Sequence, residues 1–329
     1  MSIRRFILLA VFFLLGFAAL FGACSVYYFL RVRQTDIYLE QIAYLKDVPA
    51  DPVVVFFGDS HPAMDIRTSV LGPEYLNAAY PSDNLREVAL KAQELLVLYP
   101  SIHFLVVPID DHVFGAYRTE DRNFSGILHF VSLRDALRLY GFHPLAIVES
   151  VATYLVPLAH PEHRQEFVRI FKQDVAALFT GEIPERELFW DEHCQLSLRS
   201  DKVWTDLPQE KRDELGKGRA ELQLREPIIN EELVEALDAL FLIAEEHGVD
   251  VVGVRYPMTP AYQRHAASHH ISAVRDLLYT YPFIALLDYE QLFDEQRDLF
   301  QDEDHLNASG ALLFSRRVRE DLQSLLVEP

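Results

Sequence analysis

The spacing of hydrophobic positions changes several times along this chain, and each change marks an element. From Phe6 to Leu30 no residue is charged, and Leu, Phe, Ala and Ile dominate. A run of that length can cross a bilayer with some tilt. It continues through Tyr27, Tyr28 and Phe29 instead of ending at a small-residue site, which argues against a cleaved signal peptide. Gln34 to Asp51 is polar with a helical pattern and reads as a stalk. Val53 to Phe57 is a short, continuous run of β-branched and aromatic residues that ends in Gly58-Asp59-Ser60. A strand buried on both faces of a parallel sheet has this pattern. Leu76 to Tyr80 and Phe104 to Ile109 predict two further strands. Between them, Leu85, Val88, Ala92, Leu95 and Leu96 share one face of a helix over Asn84 to Leu98.

The second half repeats the alternation. A helix over Glu231 to His247 leads to a strand over Val249 to Arg255. A helix over about Pro260 to Tyr279 leads to a strand over Phe283 to Leu287, and a last helix spans about Ala308 to Leu326. Strands alternating with helices predict an α/β fold: a flavodoxin-like, doubly wound parallel sheet of about five strands, with helices on both faces. Residues 113–227 interrupt this order and read as one largely helical insertion. The predicted organisation is an anchor at 1–33, a stalk at 34–51 and a domain at 52–329 that contains the insertion.

Composition narrows the function classes. The 329 residues carry a formal net charge of −20. Such an acidic chain repels phosphate backbones, so nucleic acid is not an expected partner. Cys24 lies in the apolar run and Cys194 in the body, so no disulfide framework is expected. Arg4 and Arg5 precede the apolar run while Arg31 and Arg33 follow it, so charge bias leaves its orientation open. There is no Walker loop, dinucleotide fingerprint or Cys-x-x-Cys pair, and no cofactor is expected. His265 and His269 have an i, i+4 spacing that suits a metal, but no third ligand is near in sequence, so no metal is expected.

Two segments could carry chemistry. In an open parallel sheet, ligands bind beyond the carboxyl ends of the strands, where Ser60 falls. Gly58 allows a tight turn, and a helix starting nearby would offer N–H groups to an oxyanion. The plainer reading is a strand-to-helix cap made by Asp59 and Ser60. The second segment is Asp302-Glu303-Asp304-His305-Leu306-Asn307-Ala308-Ser309-Gly310, at the start of the last helix. A serine hydroxyl needs a base within hydrogen-bond reach, and the base needs an orienting carboxylate. Asp302 can curl back onto the Nδ1–H of His305, and by spacing alone Glu303 or Asp304 could do the same.

Together, Gly-Asp-Ser after the first strand and Asp-x-x-His-Leu-Asn-x-x-Gly before the last helix resemble the first and last conserved blocks of the SGNH (GDSL-like) hydrolase superfamily. The resemblance implies that Ser60 is the nucleophile and an oxyanion donor, His305 the general base and Asp302 its orienter. The middle blocks depart from the pattern. Where the family has an oxyanion-binding Gly after the second strand, this chain reads Asn77-Ala78-Ala79-Tyr80-Pro81-Ser82-Asp83, and the Ser82 N–H could serve instead. Where the family has Gly-x-Asn-Asp, it reads Pro108-Ile109-Asp110-Asp111-His112. An ionised Asp110 would repel an oxyanion, so it is protonated, or another donor replaces it, or the chemistry is weak.

The anchor, the insertion and Arg255-Tyr256-Pro257 resemble the membrane-anchored bacterial branch that includes the alginate O-acetylation proteins and the teichoic acid D-alanyl transfer protein. That resemblance implies a single-pass protein of the bacterial cytoplasmic membrane with its domain extracytoplasmic. It also implies O-acyl transfer or ester hydrolysis on an envelope glycan, with a polytopic membrane acyltransferase as a partner. The competing expectation is an inactive binding or assembly protein on the same fold. Arg255, at the end of the fourth strand, could bind an anionic substrate group or form a salt bridge. His61 could touch substrate or simply pack.

Overall fold

A computed structural model of the chain describes residues 3–33, 36–119, 123–140, 158, 161–181, 188–190, 196–198 and 202–327. In chain order, helix α1 (Ile3–Tyr27) is followed by a π-helical turn (Tyr28–Val32) and by α2 (Ile37–Leu45). Then come β1 (Val54–Phe56), α3 (Ser60–Asp65), α4 (Thr68–Leu71), β2 (Tyr75–Asn77), α5 (Leu85–Leu98) and β3 (Phe104–Pro108). The interrupting region contains α6 (Phe124–Ile127), α7 (Leu133–Tyr140), α8 (Pro161–Thr180), a hairpin of β4 (Leu188–Trp190) with β5 (Leu196–Leu198), and α9 (Gln209–Gln223). The alternation resumes with α10 (Glu231–His247), β6 (Asp250–Arg255), α11 (Pro260–Ala266), α12 (Ile271–Leu278), β7 (Ala285–Asp288) and α13 (Ala308–Val327).

The main sheet has five parallel strands in the order β2-β1-β3-β6-β7. This is the doubly wound α/β arrangement that the alternation predicts. Central strands of such a sheet face helices on both sides, so each residue must be apolar. Val54, Val55 and Phe56 of β1 are accordingly buried, as are Leu105, Val106 and Val107 of β3. The long helices are bounded by local chemistry. Asn84 and Glu87 form a capping box at the start of α5. Asn230 caps α10, and Gly248 ends it in a left-handed conformation, φ +67°.

Three expectations change. The single helix over 260–279 is two helices separated by a turn, in which the His269 N–H donates to the Ala266 carbonyl. His265 and His269 therefore do not share one helix face. The insertion carries a hairpin as well as helices. In the segment read as a stalk, Gln41, Ile42 and Leu45 are buried, so its second half belongs to the folded domain.

The chain forms two compact units, residues 1–40 with 143–185 and residues 41–142 with 186–329. The smaller unit holds the apolar helix. Ile3–Val32 is continuous over 30 residues, and an 18-residue stretch within it has mean hydropathy 2.7, so the helix is long and apolar enough to cross a membrane. Within this unit Asp174 of α8 accepts hydrogen bonds from Tyr27 Oη (2.7 Å) and from Arg31 Nε (2.8 Å) and Nη2 (2.5 Å). Tyr28, Val32 and Ile170 form a small apolar cluster beside that pair. The larger unit contains the sheet and every residue of the candidate site.

Candidate active site

Gly58 makes the turn out of β1. Its φ of +129° is one that side chains rarely adopt, and a Cβ there would lie 2.6 Å from the Pro108 ring. The turn lets Asp59 cap α3, with its carboxylate accepting the His61 N–H at 3.0 Å. Ser60 is the first residue of that helix. Its side chain meets His305, 245 residues later, where Nε2 lies 2.8 Å from Ser60 Oγ. Asp302 Oδ1 and Oδ2 lie 3.0 and 3.1 Å from His305 Nδ1. Asp302 Oδ1 also accepts the backbone N–H groups of Asp304 (3.1 Å) and His305 (2.8 Å). One carboxylate thus shapes the turn and orients the imidazole.

Asp304 adds a second carboxylate. Its Oδ1 lies 3.2 Å from His305 Nδ1, a charge contact without hydrogen-bond alignment. Its Oδ2 accepts from Arg219 Nε at 2.7 Å and Gln223 Nε2 at 2.8 Å, both on α9. The sequence left three acids open as partners of His305; Asp302 hydrogen-bonds it and Asp304 supports it electrostatically. Gly310, near the start of α13, fits this geometry too. A Cβ there would collide with the Leu299 carbonyl, which itself accepts the Asn307 N–H at 2.8 Å.

Burial opposes protonation of His305, but Asp302 and then Asp304 outweigh it and hold the imidazole well above its ordinary 6.5. Asp304 is held well below the usual carboxylate range: burial acts against this, and His305 and Arg219 prevail. The Asp65 carboxyl lies behind the site and accepts the Leu306 N–H at 3.0 Å. Burial pushes it up to about 7.

The departures from the family pattern each have a local account. Ser82 has φ +71°, the left-handed backbone that a glycine adopts without strain. Ser82 and Ser60 line one cavity of about 210 Å³. Neither backbone N–H has a hydrogen-bond partner among the described residues. The Tyr80 N–H donates to the Gly58 carbonyl at 3.0 Å and ties the two loops together.

Asp110 does not face the cavity as an oxyanion donor would. It is buried and accepts from the Tyr256 N–H at 2.9 Å and from His61 Nδ1 at 2.8 Å. His61 is a packed residue, 1% exposed, with its ring centroid 5.1 Å from that of His305. Burial disfavours its charge, but Asp110 and Asp59 overcome this and raise its pKa well above 6.5. Asp59 takes Arg118 Nη2 at 3.1 Å and His112 Nε2 at 3.2 Å. It stays well below the usual range because Arg118 and the two imidazoles outweigh its burial. Buried charges here are paired, as they must be in a low-dielectric interior.

Arg255 does not line the cavity. It is buried and bonds Asp288 at 2.5 Å, with Asp111 at 3.7 Å, which realises the salt-bridge reading. Residues the sequence did not single out take its place. Tyr117, Arg118, Arg219 and Arg225 all line the Ser60 cavity and all come from the insertion. Arg219 and Gln223 are four apart in a strongly charged helix. That spacing puts them on one face and was the available signal.

By distance alone, Asp59-His61-His112 and His61-Asp304-His305 could each gather around a metal ion. In both groups the imidazoles already face carboxylates, and in the second His305 Nε2 is committed to Ser60.

The fold and site together define an α/β protein with a serine, a histidine and an aspartate joined in one hydrogen-bonded chain at the carboxyl end of a parallel sheet. No family model and no curated protein matches the chain.

Proposed function

We propose that this chain is an SGNH-like enzyme that performs serine-dependent acyl transfer or ester hydrolysis. Ser60 Oγ attacks the acyl carbonyl while neutral His305 takes the hydroxyl proton on Nε2, and an oxyanion forms against the Ser60 and Ser82 N–H groups. Collapse expels the alcohol, which takes the proton from His305, and leaves an acyl-Ser60 ester. Water or a sugar hydroxyl then attacks that ester, with His305 again acting as base. The 2.8 Å contact between His305 Nε2 and Ser60 Oγ carries this reading. The long apolar helix supports a membrane-anchored form, and the family resemblance supports an extracytoplasmic domain that acts on an acylated envelope glycan beside a polytopic acyltransferase.

Incubation with a chromogenic acetyl ester tests the reading. Turnover that disappears in Ser60→Ala supports it, and equal turnover in both proteins refutes it. One observation favours the rival, an inactive binding or assembly protein: the place of the family's oxyanion Asn is filled by Asp110, already bonded to His61. Loss of one such donor costs about a hundredfold to a thousandfold in rate. A folded protein with no turnover at all would favour that rival.

A further inference from the structure

The cavity beside Ser60 has a lining that the composition makes unexpected. The chain has 30 basic residues against 50 acidic ones, yet three arginines, Arg118, Arg219 and Arg225, line this one space. No acidic side chain lines it among the described residues. The nearby acids sit behind the arginines and are engaged: Asp59 holds Arg118 at 3.1 Å and Asp304 holds Arg219 at 2.7 Å.

Those contacts leave donors unused. Arg118 is 9% exposed and spends Nη2 on Asp59 and the Asp83 carbonyl, while its buried Nε has no partner. That nitrogen has no accessible surface, so Arg118 offers the cavity its positive charge rather than this donor. Arg219 bonds through Nε alone, so its two Nη groups are free among the described residues, with 26% of the side chain exposed. Arg225 is exposed and makes no hydrogen bond or ion pair with any described residue. Guanidinium groups present planar donor pairs that match carboxylate and phosphate oxygens.

We infer that the Ser60 cavity contains an anion subsite, formed by Arg118, Arg219 and Arg225, that selects esters carrying a carboxylate or a phosphate monoester near the acyl group. The ester part of this statement rests on the reading of Ser60 given above; the anion part does not. The subsite supplies the charge recognition that Arg255, committed to Asp288, does not.

The test is direct binding to full-length Ser60→Ala protein in detergent, which separates recognition from turnover. The probes are 4-acetoxybenzoate, 4-acetoxyphenyl phosphate and the neutral methyl 4-acetoxybenzoate, titrated calorimetrically. At least one anionic probe should bind about tenfold or more tighter than the neutral ester, as expected for a charge-assisted bond. Arg225→Gln, an exposed change, should remove much of that preference. The tighter anion identifies carboxylate or phosphate as the group recognised. Equal affinity for charged and neutral probes, or a preference unchanged by both Arg225→Gln and Arg219→Gln, overturns the subsite. Anion binding in a wild-type protein that turns over no ester would sink the acyl-transfer reading and leave the subsite standing.

Discussion

Replacing Asp302 with Asn should hurt this site far less than the same change hurts most nucleophile–histidine–aspartate sites. Elsewhere the amide commonly presents its NH2 to the imidazole, traps the wrong tautomer and lowers turnover about ten-thousandfold. Here Asp302 Oδ1 is held by two backbone N–H groups, at 2.8 and 3.1 Å, and is also the oxygen 3.0 Å from His305 Nδ1. Flipping the amide of Asp302→Asn would break both backbone bonds, at about 1 kcal/mol each. A penalty of about 2 kcal/mol keeps the oxygen in place by a ratio of about thirty to one. The Nδ1–H tautomer therefore keeps its acceptor, although the amide nitrogen takes the Oδ2 position 3.1 Å from Nδ1, and Asp304 still lies 3.2 Å from that ring nitrogen. The expected loss is about tenfold to a hundredfold, well short of the wrong-tautomer loss. Asp302→Ala removes the turn bonds as well and should lose far more. Initial rates with a chromogenic acetyl ester at saturating pH measure both. If the Asn and Ala variants are equally inactive, Asp302 does not act through this geometry.

Three other outcomes are expected. Only neutral His305 can act as base and its pKa is raised, so the rate should climb with pH through a midpoint above 6.5; a rate that is flat from about pH 6 to 9, with chemistry limiting, would contradict this. Asp65 is raised to about 7, so the stability tied to its neutral form is complete below about 3.8 and is lost as pH rises through 7. Asp65→Asn should therefore raise the melting temperature at about pH 8 and change it little at about pH 4, and a gain confined to the acidic side would refute the assignment. Lys91 is fully buried and donates to Asp83 Oδ2 (2.6 Å), Gln41 Oε1 (2.9 Å) and the Ala78 carbonyl (2.9 Å). Lys91→Met removes the cation from the buried Asp83 carboxylate, leaving it the Asn123 amide at 2.7 Å, and should cost about 3–5 kcal/mol in chemical denaturation; a cost below about 1 kcal/mol would show that the pair is not sequestered.

The parts of this molecule that the sequence reveals are those set by local pattern. The buried runs at Val54–Phe56 and Phe104–Pro108, and the capped helix Glu231–His247, follow from periodicity and end residues. Ser60, His305 and Asp302 could be singled out because their segments each carry a compact motif at a strand end or a helix start. Relations between distant segments could not be read this way. Nothing in Pro108–His112 shows that Asp110 will be spent on His61 and the Tyr256 N–H, because those contacts depend on how β6 pairs with β3. The arginines at the cavity were hidden for the same reason: in sequence they belong to a charged insertion, and only the packing of α9 brings Arg219 to Asp304. The left-handed backbone at Ser82 was masked by residue type, since a glycine would have announced it.

The nucleophilicity of Ser60 decides the account. Full-length protein in detergent should be treated with a fluorophosphonate, digested and mapped by mass spectrometry. The account predicts one adduct, on the peptide that begins the first sheet-to-helix turn, and none in Ser60→Ala or His305→Ala protein. A well-folded wild-type protein that stays unmodified, or an adduct that persists when the Ser60 hydroxyl is removed, would contradict it.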